Sequence, residues 1–423
     1  MQAKKRFFAV MAAIATVFCL TLSCTVFGAE KIKLTMGTWG SETFWGFHEK
    51  AIADFEALNP DIEVELLKMG GGGANYWERL VTLQAAGQMP DIFRVVSSQQ
   101  TDVYRSGMAL ELTPFINNDP AFSRDFILPP MGIGDKAYAI ADGIIVNIIH
   151  LNEEKLAERG LVSPTALYKQ GIWDYDALAD TARKVTQLNA DDQVVSVGFA
   201  MVTPALITVG PWVQSFGGSW FGPENNTVMF NRPEAIAGLA WLRDRFLEKS
   251  FSDRNPQDVR AMMADGKWGM AFNWSLPKVE DVQYGNVKTE YVPWPKGPVQ
   301  DVTTFRTEPW AIASTSNNKE AAYKLARFMA AQGYIYQVQE AGKVPNYKPL
   351  MKELVAHADR FVGGVDYLNE QLNKLTPQPV PPSESQVMAI LNPTLTAIIK
   401  GEVSIENVLE SIAGPIQNIL DGK

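Results

Sequence analysis

The hydrophobic pattern changes from period two to helical spacing within the first globular segment. Apolar and polar residues alternate over residues 32–39 and the run ends in glycine, which predicts a β-strand. From His48 onward the apolar residues recur at helical spacing as far as the Asn-Pro pair at 59–60, which predicts a helix that stops there. The intervening residues 40–47 are predicted to form a loop. Ligands bind at the carboxyl ends of strands in open α/β sheets, so this loop is predicted to open a binding cleft.

Strand and helix patterns alternate along the rest of the chain, which predicts an α/β fold. Residues 211–223 contain glycine, proline and two tryptophans and are predicted to be irregular. Pro393 and Pro415 are predicted to kink two amphipathic C-terminal helices. The principal predicted strands are residues 62–66, 90–96, 137–151, 194–199, 268–274 and 307–313, and the principal predicted helices are residues 76–86, 101–107, 174–186, 233–246, 319–331, 385–400 and 404–420.

The length of 423 residues exceeds what one compact core accommodates, so two lobes of comparable size are expected. The extended run 137–151 is interrupted by Asp142 and a glycine, which predicts a crossing between the lobes with a polar residue at the junction. Residues 307–313 are predicted to form a second crossing. The predicted N-terminal lobe is residues 29–141 plus 312–360, and the predicted C-terminal lobe is residues 142–311 plus 361–423.

The first residues have the features of an export signal. Basic residues 4–6 precede an apolar run at 7–22, and small residues follow it, which predicts a signal peptide of residues 1–28 and a periplasmic protein. Lipid attachment at Cys24 is an alternative, because this cysteine follows the apolar run. A permanent membrane anchor is a further alternative, which the short apolar run disfavours.

Composition excludes several classes of function. The net charge of −9 gives no electrostatic reason to bind nucleic acid or anionic lipid. Cys19 and Cys24 both lie in the predicted leader, so the mature chain has no thiol for catalysis or zinc binding. The histidines form no HExxH motif and no GxSxG motif is present. We therefore predict no metal site, no cofactor and no catalytic activity.

Several segments in a fixed order cover most of the predicted mature chain. They are FEALNPDIEVELL (55–67), LQAAGQMPDIF (83–93), SGMALELTPFI (106–116), ADGIIVNIIHLNEEKL (141–156), MMADGKWGMAFNW (262–274), WAIASTSNNKEAAYKLARFM (310–329) and LNPTLTAIIKGEVSIENVLESI (391–412). In order and spacing they resemble the carbohydrate-binding extracellular solute-binding proteins of bacterial ABC importers, the group that includes maltose-binding protein.

This resemblance implies a two-lobed periplasmic-binding-protein fold of the type II kind, with a mixed sheet flanked by helices in each lobe and hinge strands between the lobes. It also implies a monomer that closes on one sugar or oligosaccharide and delivers it to the permease subunits of an ABC transporter. The family usually has Tyr-Asn where this chain has residues 149–152, and a basic residue after the proline where it has residues 344–347. These departures argue against assuming a maltodextrin ligand.

Sugars are recognised by aromatic rings that stack on their apolar face and by carboxylates and amides that bind their hydroxyls. Tryptophans at predicted strand ends, glycine-rich bends and crossings are candidates for stacking, although most tryptophans in a globular protein belong to the core. Arg306 could instead neutralise Glu308. The predicted ligand-binding residues are Trp39, Glu42, Phe44, Trp45, Ser97, Gln99, Asp142, Trp220, Asn273, Trp274, Arg306, Glu308 and Trp310.

Two other functions remain open at this stage. A glycoside hydrolase would use two carboxylates that flank the sugar, for which Asp142 and Glu308 are candidates, although nothing in their spacing singles them out. A binding protein for another small solute, such as a polyamine, would respond to cations and not to sugars.

Overall fold

The computed structural model describes residues 30–201, 205–252, 261–273, 287, 289–357 and 368–423, and the predicted signal peptide lies outside these ranges. The fold is a two-lobed α/β structure with three mixed sheets. The strands are β1 (Ile32–Trp39), β2 (Ile62–Met69), β3 (Ile92–Arg94), β4 (Met131–Ile133), β5 (Lys136–Ile140), β6 (Gly143–Val146), β7 (Ile148–Asn152), β8 (Gln187–Leu188), β9 (Val194–Ala200), β10 (Trp268–Asn273), β11 (Thr289–Val292), β12 (Thr303–Arg306), β13 (Trp310–Ile312), β14 (Val344–Pro345) and β15 (Leu375–Pro377).

Helices cover the sheets on both faces. Those within the described ranges are α1 (Glu42–Leu58), α2 (Gly73–Ala85), α3 (Gln100–Arg105), α4 (Thr113–Asn117), α5 (Phe122–Asp125), α6 (Glu153–Glu158), α7 (Pro164–Lys169), α8 (Tyr175–Val185), α9 (Leu206–Ser215), α10 (Pro233–Leu247), α11 (Lys319–Ala330), α12 (Ile335–Ala341), α13 (Met351–Ala356), α14 (Leu368–Leu372), α15 (Glu384–Ile399) and α16 (Ile405–Leu420). Among the residues that the structure describes, no helix is both long enough and apolar enough to cross a bilayer.

The first sheet has the strand order β2-β1-β3-β13-β5-β4. β1 runs parallel to β2 and β3, whereas β13 is antiparallel to both of its neighbours, β3 and β5. Leu34 and Met36 of β1 and Phe55 of α1 are buried in the core against this sheet. A strand from late in the sequence therefore lies at the centre of a sheet that otherwise comes from the first third of the chain.

The second and third sheets complete the molecule. The second has the order β11-β7-β10-β9-β8, and the largest hydrophobic core, around Trp212 and Phe199, packs against it. The third has the order β14-β6-β12-β15, and its short strands come from four distant parts of the chain. β6 lies within the first segment that the sequence predicts to cross between the lobes, and β12 directly precedes the second. The predicted residue limits of the lobes stay a prediction.

The predicted loop at residues 40–47 is wrong in most of its length, because α1 begins at Glu42. The side chain of Ser41 caps the helix by accepting a hydrogen bond from the backbone N–H of Phe44 at 3.4 Å. A glutamate in the first turn, such as Glu42, stabilises the helix because it lies near the positive end of the helix dipole. The buried face also starts earlier than His48, since Trp45 is already part of it.

The predicted irregularity of residues 211–223 is wrong for its first part, because α9 continues through Pro211 to Ser215. A proline inside a helix leaves the carbonyl four residues earlier without its N–H donor. That carbonyl belongs to Ile207, and it accepts a hydrogen bond at 2.8 Å from Nε2 of Gln378. A side chain from another part of the chain thus replaces the missing helical donor.

Candidate functional site

Four side chains meet at one edge of the first sheet. Trp39 ends β1 and Arg94 ends β3, so both lie at the carboxyl ends of parallel strands. Trp310 begins the antiparallel strand β13 directly opposite Arg94. Asp142 follows β5 by two residues. Because strands of opposite direction start where their neighbours end, all four residues come together at the edge where α/β proteins bind ligands.

Arg94 lies at the centre of these residues, which together with Phe44, His48 and Glu308 form the edge cluster. Its guanidinium Nη2 lies 3.3 Å from Oδ2 of Asp142 and 3.5 Å from Oε2 of Glu308. Its Nη1 lies 3.4 Å from Nε2 of His48. The residue is 3% exposed, so its charge is compensated inside the protein by two carboxylates.

Aromatic rings enclose the guanidinium. Its Cζ lies 5.5 Å from the ring centroid of Trp39, 5.3 Å from that of Phe44 and 5.6 Å from that of Trp310. These distances are within the range of cation–π attraction. Nε1 of Trp310 also donates a hydrogen bond to Oδ2 of Asp142 at 3.1 Å. Arg94, the rings and the carboxylates therefore hold each other in one arrangement.

Burial and the guanidinium shift the pKa values of the cluster. Burial raises the pKa of Asp142 to about 6, although Arg94 acts in the opposite direction. Burial lowers the pKa of His48, and repulsion from Arg94 lowers it further, so its imidazole is neutral near pH 7. Burial lowers the pKa of Arg94, but the attraction of Asp142 and Glu308 outweighs this effect and leaves it above the usual value.

Part of the cluster remains open to solvent. The side chain of Glu308 is 26% exposed, and Trp39 and Phe44 are half-buried, whereas Asp142 and Trp310 are buried. A ligand that approaches this edge meets two aromatic rings and one carboxylate. Asp142 and Trp310 lie behind them, where they orient Arg94.

A sequence profile of the bacterial extracellular solute-binding proteins matches residues 42–335 of this chain, which is more than half of its length. The chain belongs to this family. The match includes Arg94, Asp142, Glu308 and Trp310, so the edge cluster lies almost entirely within the segment that the family shares.

Solved structures of other binding proteins have the same fold as this solute-binding protein. An ABC substrate-binding protein from Listeria monocytogenes in complex with cycloalternan aligns with a TM-score of 0.75 at 20% identity, over 93% of this chain and 99% of that chain. The maltose-bound MalE3 of T. maritima aligns with a TM-score of 0.71 at 21% identity, over 92% and 100%. The sugar-binding protein MalE of Xanthomonas citri aligns with a TM-score of 0.75 at 14% identity, over 92% and 98%.

Arg94 was not among the residues that the sequence indicated. It lies in the run PDIFRVV, where the surrounding residues are apolar and predict a buried strand. An arginine is almost never fully buried without a partner, so its presence in such a run predicts a buried ion pair. Its partners, Asp142 and Glu308, are distant in sequence and cannot be identified without the strand order.

The structure places other predicted ligand-binding residues outside the edge cluster. Glu42 is exposed and lies 3.6 Å from Nζ of Lys68, and this ammonium lies over the ring of Trp45 at 5.6 Å. Trp220 is 1% exposed and belongs to the core of the second sheet. Trp45 and Trp220 are thus packed within the protein. Ligand contact by Glu42, Trp45 and Trp220 stays a prediction.

The remaining predicted residues follow the ends of β3 and β10. Ser97 is half-buried in a 3-10 turn directly after β3, in the same turn as Gln99. Nε2 of Gln99 donates to Oγ of Ser385 at 3.1 Å, which connects this turn to the start of α15. Asn273 is the last residue of β10, and Trp274 lies outside the described residues.

The alternative that Arg306 neutralises Glu308 is wrong, because Arg306 pairs with another carboxylate. Its Nη2 lies 3.2 Å from Oε1 of Glu384, and its Nε donates to Oε1 of Gln378 at 3.0 Å. Both members of the Arg306–Glu384 pair are buried, and Glu308 pairs with Arg94 instead. Arg94 and Arg306 thus pair with different carboxylates at two separate positions in the protein.

Helix α3, which follows the turn after β3, is attached to the segment that leads into α15. Oγ1 of Thr101 donates to the carbonyl of Val380 at 2.6 Å, and Oδ1 of Asp102 accepts from the backbone N–H of Ser383 at 2.8 Å. Ser383 has a left-handed backbone with φ of 51°, which costs energy for a residue other than glycine. These bonds hold α15 beside the first sheet.

The Arg306–Glu384 pair predicts a pH-dependent stability. Burial, with a smaller contribution from Asp102, raises the pKa of Glu384 from 4.5 to about 7, although Arg306 opposes the shift. The folded state therefore binds this proton more tightly than the unfolded state does. The contribution of Glu384 to the free energy of unfolding falls as the pH rises from 4.5 to about 7.

We expect Glu384→Gln to remove this dependence. Relative to the unmodified protein, the variant gains stability as the pH rises from about 5 to about 7, with a slope of at most about 1.4 kcal/mol per pH unit. Urea unfolding of both proteins across this range measures the difference. Asp142 is present in both, so its own titration cancels. If the free energies of unfolding of the two proteins change in parallel with pH, Glu384 is already ionised in the folded protein at about pH 5, and the prediction is wrong.

Among the residues that the structure describes, no group of three or more histidine, cysteine, aspartate or glutamate side chains has the arrangement of a metal site. The edge cluster itself has two carboxylates, but a guanidinium lies between them.

Proposed function

We propose that this solute-binding protein binds a sugar or oligosaccharide in the cleft between its lobes and delivers it to the permease of an ABC importer. The observation that carries the proposal is the exposed part of the edge cluster, where two half-buried rings, Trp39 and Phe44, lie beside the partly exposed carboxylate of Glu308. A ring face for the apolar side of a pyranose and a carboxyl acceptor for its hydroxyls are what sugar binding requires. The sugar complexes of proteins with this fold support the same ligand class.

The mechanism follows from the position of the cluster. A sugar first binds at the edge of the first sheet, and the second lobe then adds contacts when the lobes close. The closed state becomes populated because it alone makes both sets of contacts. The short strands of the third sheet lie beside both crossings and are suited to act as the hinge. The permease then recognises the closed form of a monomeric, periplasmic protein.

The geometry favours a receptor over a glycoside hydrolase. Asp142 is 1% exposed, and its carboxylate is engaged by Arg94 and Trp310. A hydrolase requires one carboxyl group to donate a proton and another to attack or to activate water at the sugar. Asp142 is instead a fixed counter-charge behind the exposed residues. The family is also one of binding proteins.

Glu42, near the start of the chain, and Glu308, at the second predicted crossing, are both candidate ligand-binding residues and allow a matched test. We expect Glu308→Gln to weaken sugar binding about 10-fold, because a charge-assisted hydrogen bond contributes about 1.5–3 kcal/mol. Trp39→Ala should weaken it by a similar or larger factor through the loss of ring stacking. Glu42→Gln tests the other acidic candidate and should have a smaller effect, since Glu42 is exposed beside Lys68 and lies outside the edge cluster.

The measurement is a thermal-shift screen over mono- and oligosaccharides and polyamines, followed by calorimetric titration of each variant with the best ligand. A response to polyamines and silence from every sugar would contradict the proposed ligand class. Release of reducing sugar during incubation would indicate a hydrolase. An equal loss of affinity in Glu42→Gln and Glu308→Gln would contradict the location of the site.

A further inference from the structure

A cavity lies between α7, α14 and the segment that leads into β12. Its volume is about 340 Å³, which is within the range of small-molecule sites. It shares no lining residue with the edge cluster. Thr303, the first residue of β12, lines it, whereas Arg306 at the other end of the same short strand binds Glu384. The cavity therefore belongs to the junction of the second and third sheets.

Two buried indoles form part of its wall. Trp173 is 3% exposed and Trp294 is 5% exposed. Nε1 of Trp173 donates to the carbonyl of Pro293 at 3.0 Å, and Nε1 of Trp294 donates to the hydroxyl of Tyr175 at 3.2 Å. Because both indole N–H groups are bonded inside the protein, the tryptophans contribute only carbon surface to the cavity. Such surface is suited to the face or edge of a ring.

A buried amide in the wall has an unused donor. Gln371 is 4% exposed, and its Oε1 accepts a hydrogen bond from Oγ1 of Thr303 at 2.5 Å. Its Nε2 has no hydrogen-bond partner among the residues that the structure describes. Because Gln371 lines the cavity, this donor is available to an acceptor on a ligand.

Among the residues that the structure describes, the rim carries one lysine without an ion pair. Lys374 lies 3.1 Å from Oε1 of Glu370 and 3.8 Å from Oδ2 of Asp301, so it neutralises the acidic side of the rim. Hydrogen bonds from Tyr168 and Lys374 lower the pKa of Glu370, which keeps it ionised in this pairing. Lys296 is exposed and forms no ion pair with any described residue. Both carboxylates at this rim are therefore paired with Lys374, whereas Lys296 and Nε2 of Gln371 are donors without a partner among the described residues.

We propose that this cavity binds a small carboxylate that is carried on a ring. The ring packs against the carbon surface of Trp173 and Trp294, and the carboxylate accepts hydrogen bonds from Nε2 of Gln371 and Nζ of Lys296. An aromatic acid and a sugar acid share this chemistry. A neutral sugar lacks the charge that Lys296 recognises. The site is separate from the sugar cleft, so the two proposals succeed or fail independently.

The test uses the mature chain and two pairs of probes. Benzoate and glucuronate carry the carboxylate, and benzyl alcohol and glucose are the neutral counterparts. Saturation-transfer NMR and calorimetric titration should show saturable binding of at least one carboxylate and weaker or no binding of its neutral counterpart. Lys296→Gln should weaken carboxylate binding about 10-fold, because it removes a charged donor. Lys33→Gln is the matched control, since it removes an exposed lysine on β1 and should change nothing.

Lys296 is exposed, so its replacement should leave the fold intact, and an unchanged melting temperature confirms this. Benzoate binding alone would identify an aromatic acid, and glucuronate binding alone would identify a sugar acid. Absence of saturable binding for both carboxylates at millimolar concentration would overturn the proposal. So would equal affinity in Lys296→Gln, equal affinity for the neutral probe, or displacement of the carboxylate by the sugar that binds the cleft.

Discussion

Arg94→Met is expected to destabilise the protein by about 3–5 kcal/mol, the cost of breaking a buried ion pair from one side. Arg94 is 3% exposed and compensates both Asp142 and Glu308. Its removal leaves the carboxylate of Asp142 buried without a counter-charge, with only the N–H of Trp310 and nearby backbone to stabilise it. Urea unfolding of the mature chain near pH 8, where Asp142 is ionised, measures the effect.

Two further variants make this expectation specific. Arg79→Met removes an exposed arginine from α2 and should change the free energy of unfolding by no more than about 0.5 kcal/mol. Adding Asp142→Asn to Arg94→Met should recover part of the loss, because the uncompensated charge is then absent. A loss below about 1 kcal/mol in Arg94→Met would show that water or a rearrangement compensates the two carboxylates.

Trp310→Ala is expected to destabilise the protein by about 3–5 kcal/mol, the usual cost of deleting a large buried aromatic side chain. Trp310 is fully buried, its ring meets that of His48 edge-to-face at 5.4 Å, and its Nε1 binds Asp142. The deletion removes packing surface and one of the donors that stabilise the buried carboxylate. Thermal and urea unfolding measure the loss.

Trp310→Phe separates the two contributions of this residue. It retains an aromatic ring in the core but cannot donate to Asp142, so a smaller loss of about 1–2 kcal/mol is expected. The sequence indicated Trp310 as a ligand-stacking residue, and that role stays a prediction. If Trp310→Phe keeps its stability but loses sugar affinity, the indole contacts the ligand in a state other than the one described. If both properties decline together, its role is to support the cluster.

The elements that could be predicted from the sequence are those whose pattern is local. The strand Ile32–Trp39 alternates in polarity, and the helix Tyr175–Val185 is capped by Asp174, whose Oδ1 accepts from the N–H of Ala177. The start of α1 was missed because its first turns carry aromatic and exposed residues in place of an aliphatic stripe. The cap at Ser41 was the signal that could have located it.

The contacts of the site could not be predicted, because they depend on the order of strands in the sheet. Arg94 meets Glu308 only because β13 is inserted between β3 and β5. Likewise, the nearness of Arg306 to Glu308 in sequence suggested a pair. Arg306 ends β12 of the third sheet, however, and Glu308 precedes β13 of the first sheet, so each residue meets a partner from a distant part of the chain. Local spacing therefore identified acidic candidates without identifying their partners.

The late position of β13 in the sequence has a consequence for how the chain acquires its structure. An N-terminal fragment that ends before Trp310 leaves β3 and β5 without the strand that joins them, and the third sheet also needs residues 344–345 and 375–377. Pairings between such distant segments close large loops and form slowly. Neither the first nor the third sheet can form completely while the ribosome still holds the C-terminal part. A delay of this kind suits a polypeptide that has to cross a membrane before it folds.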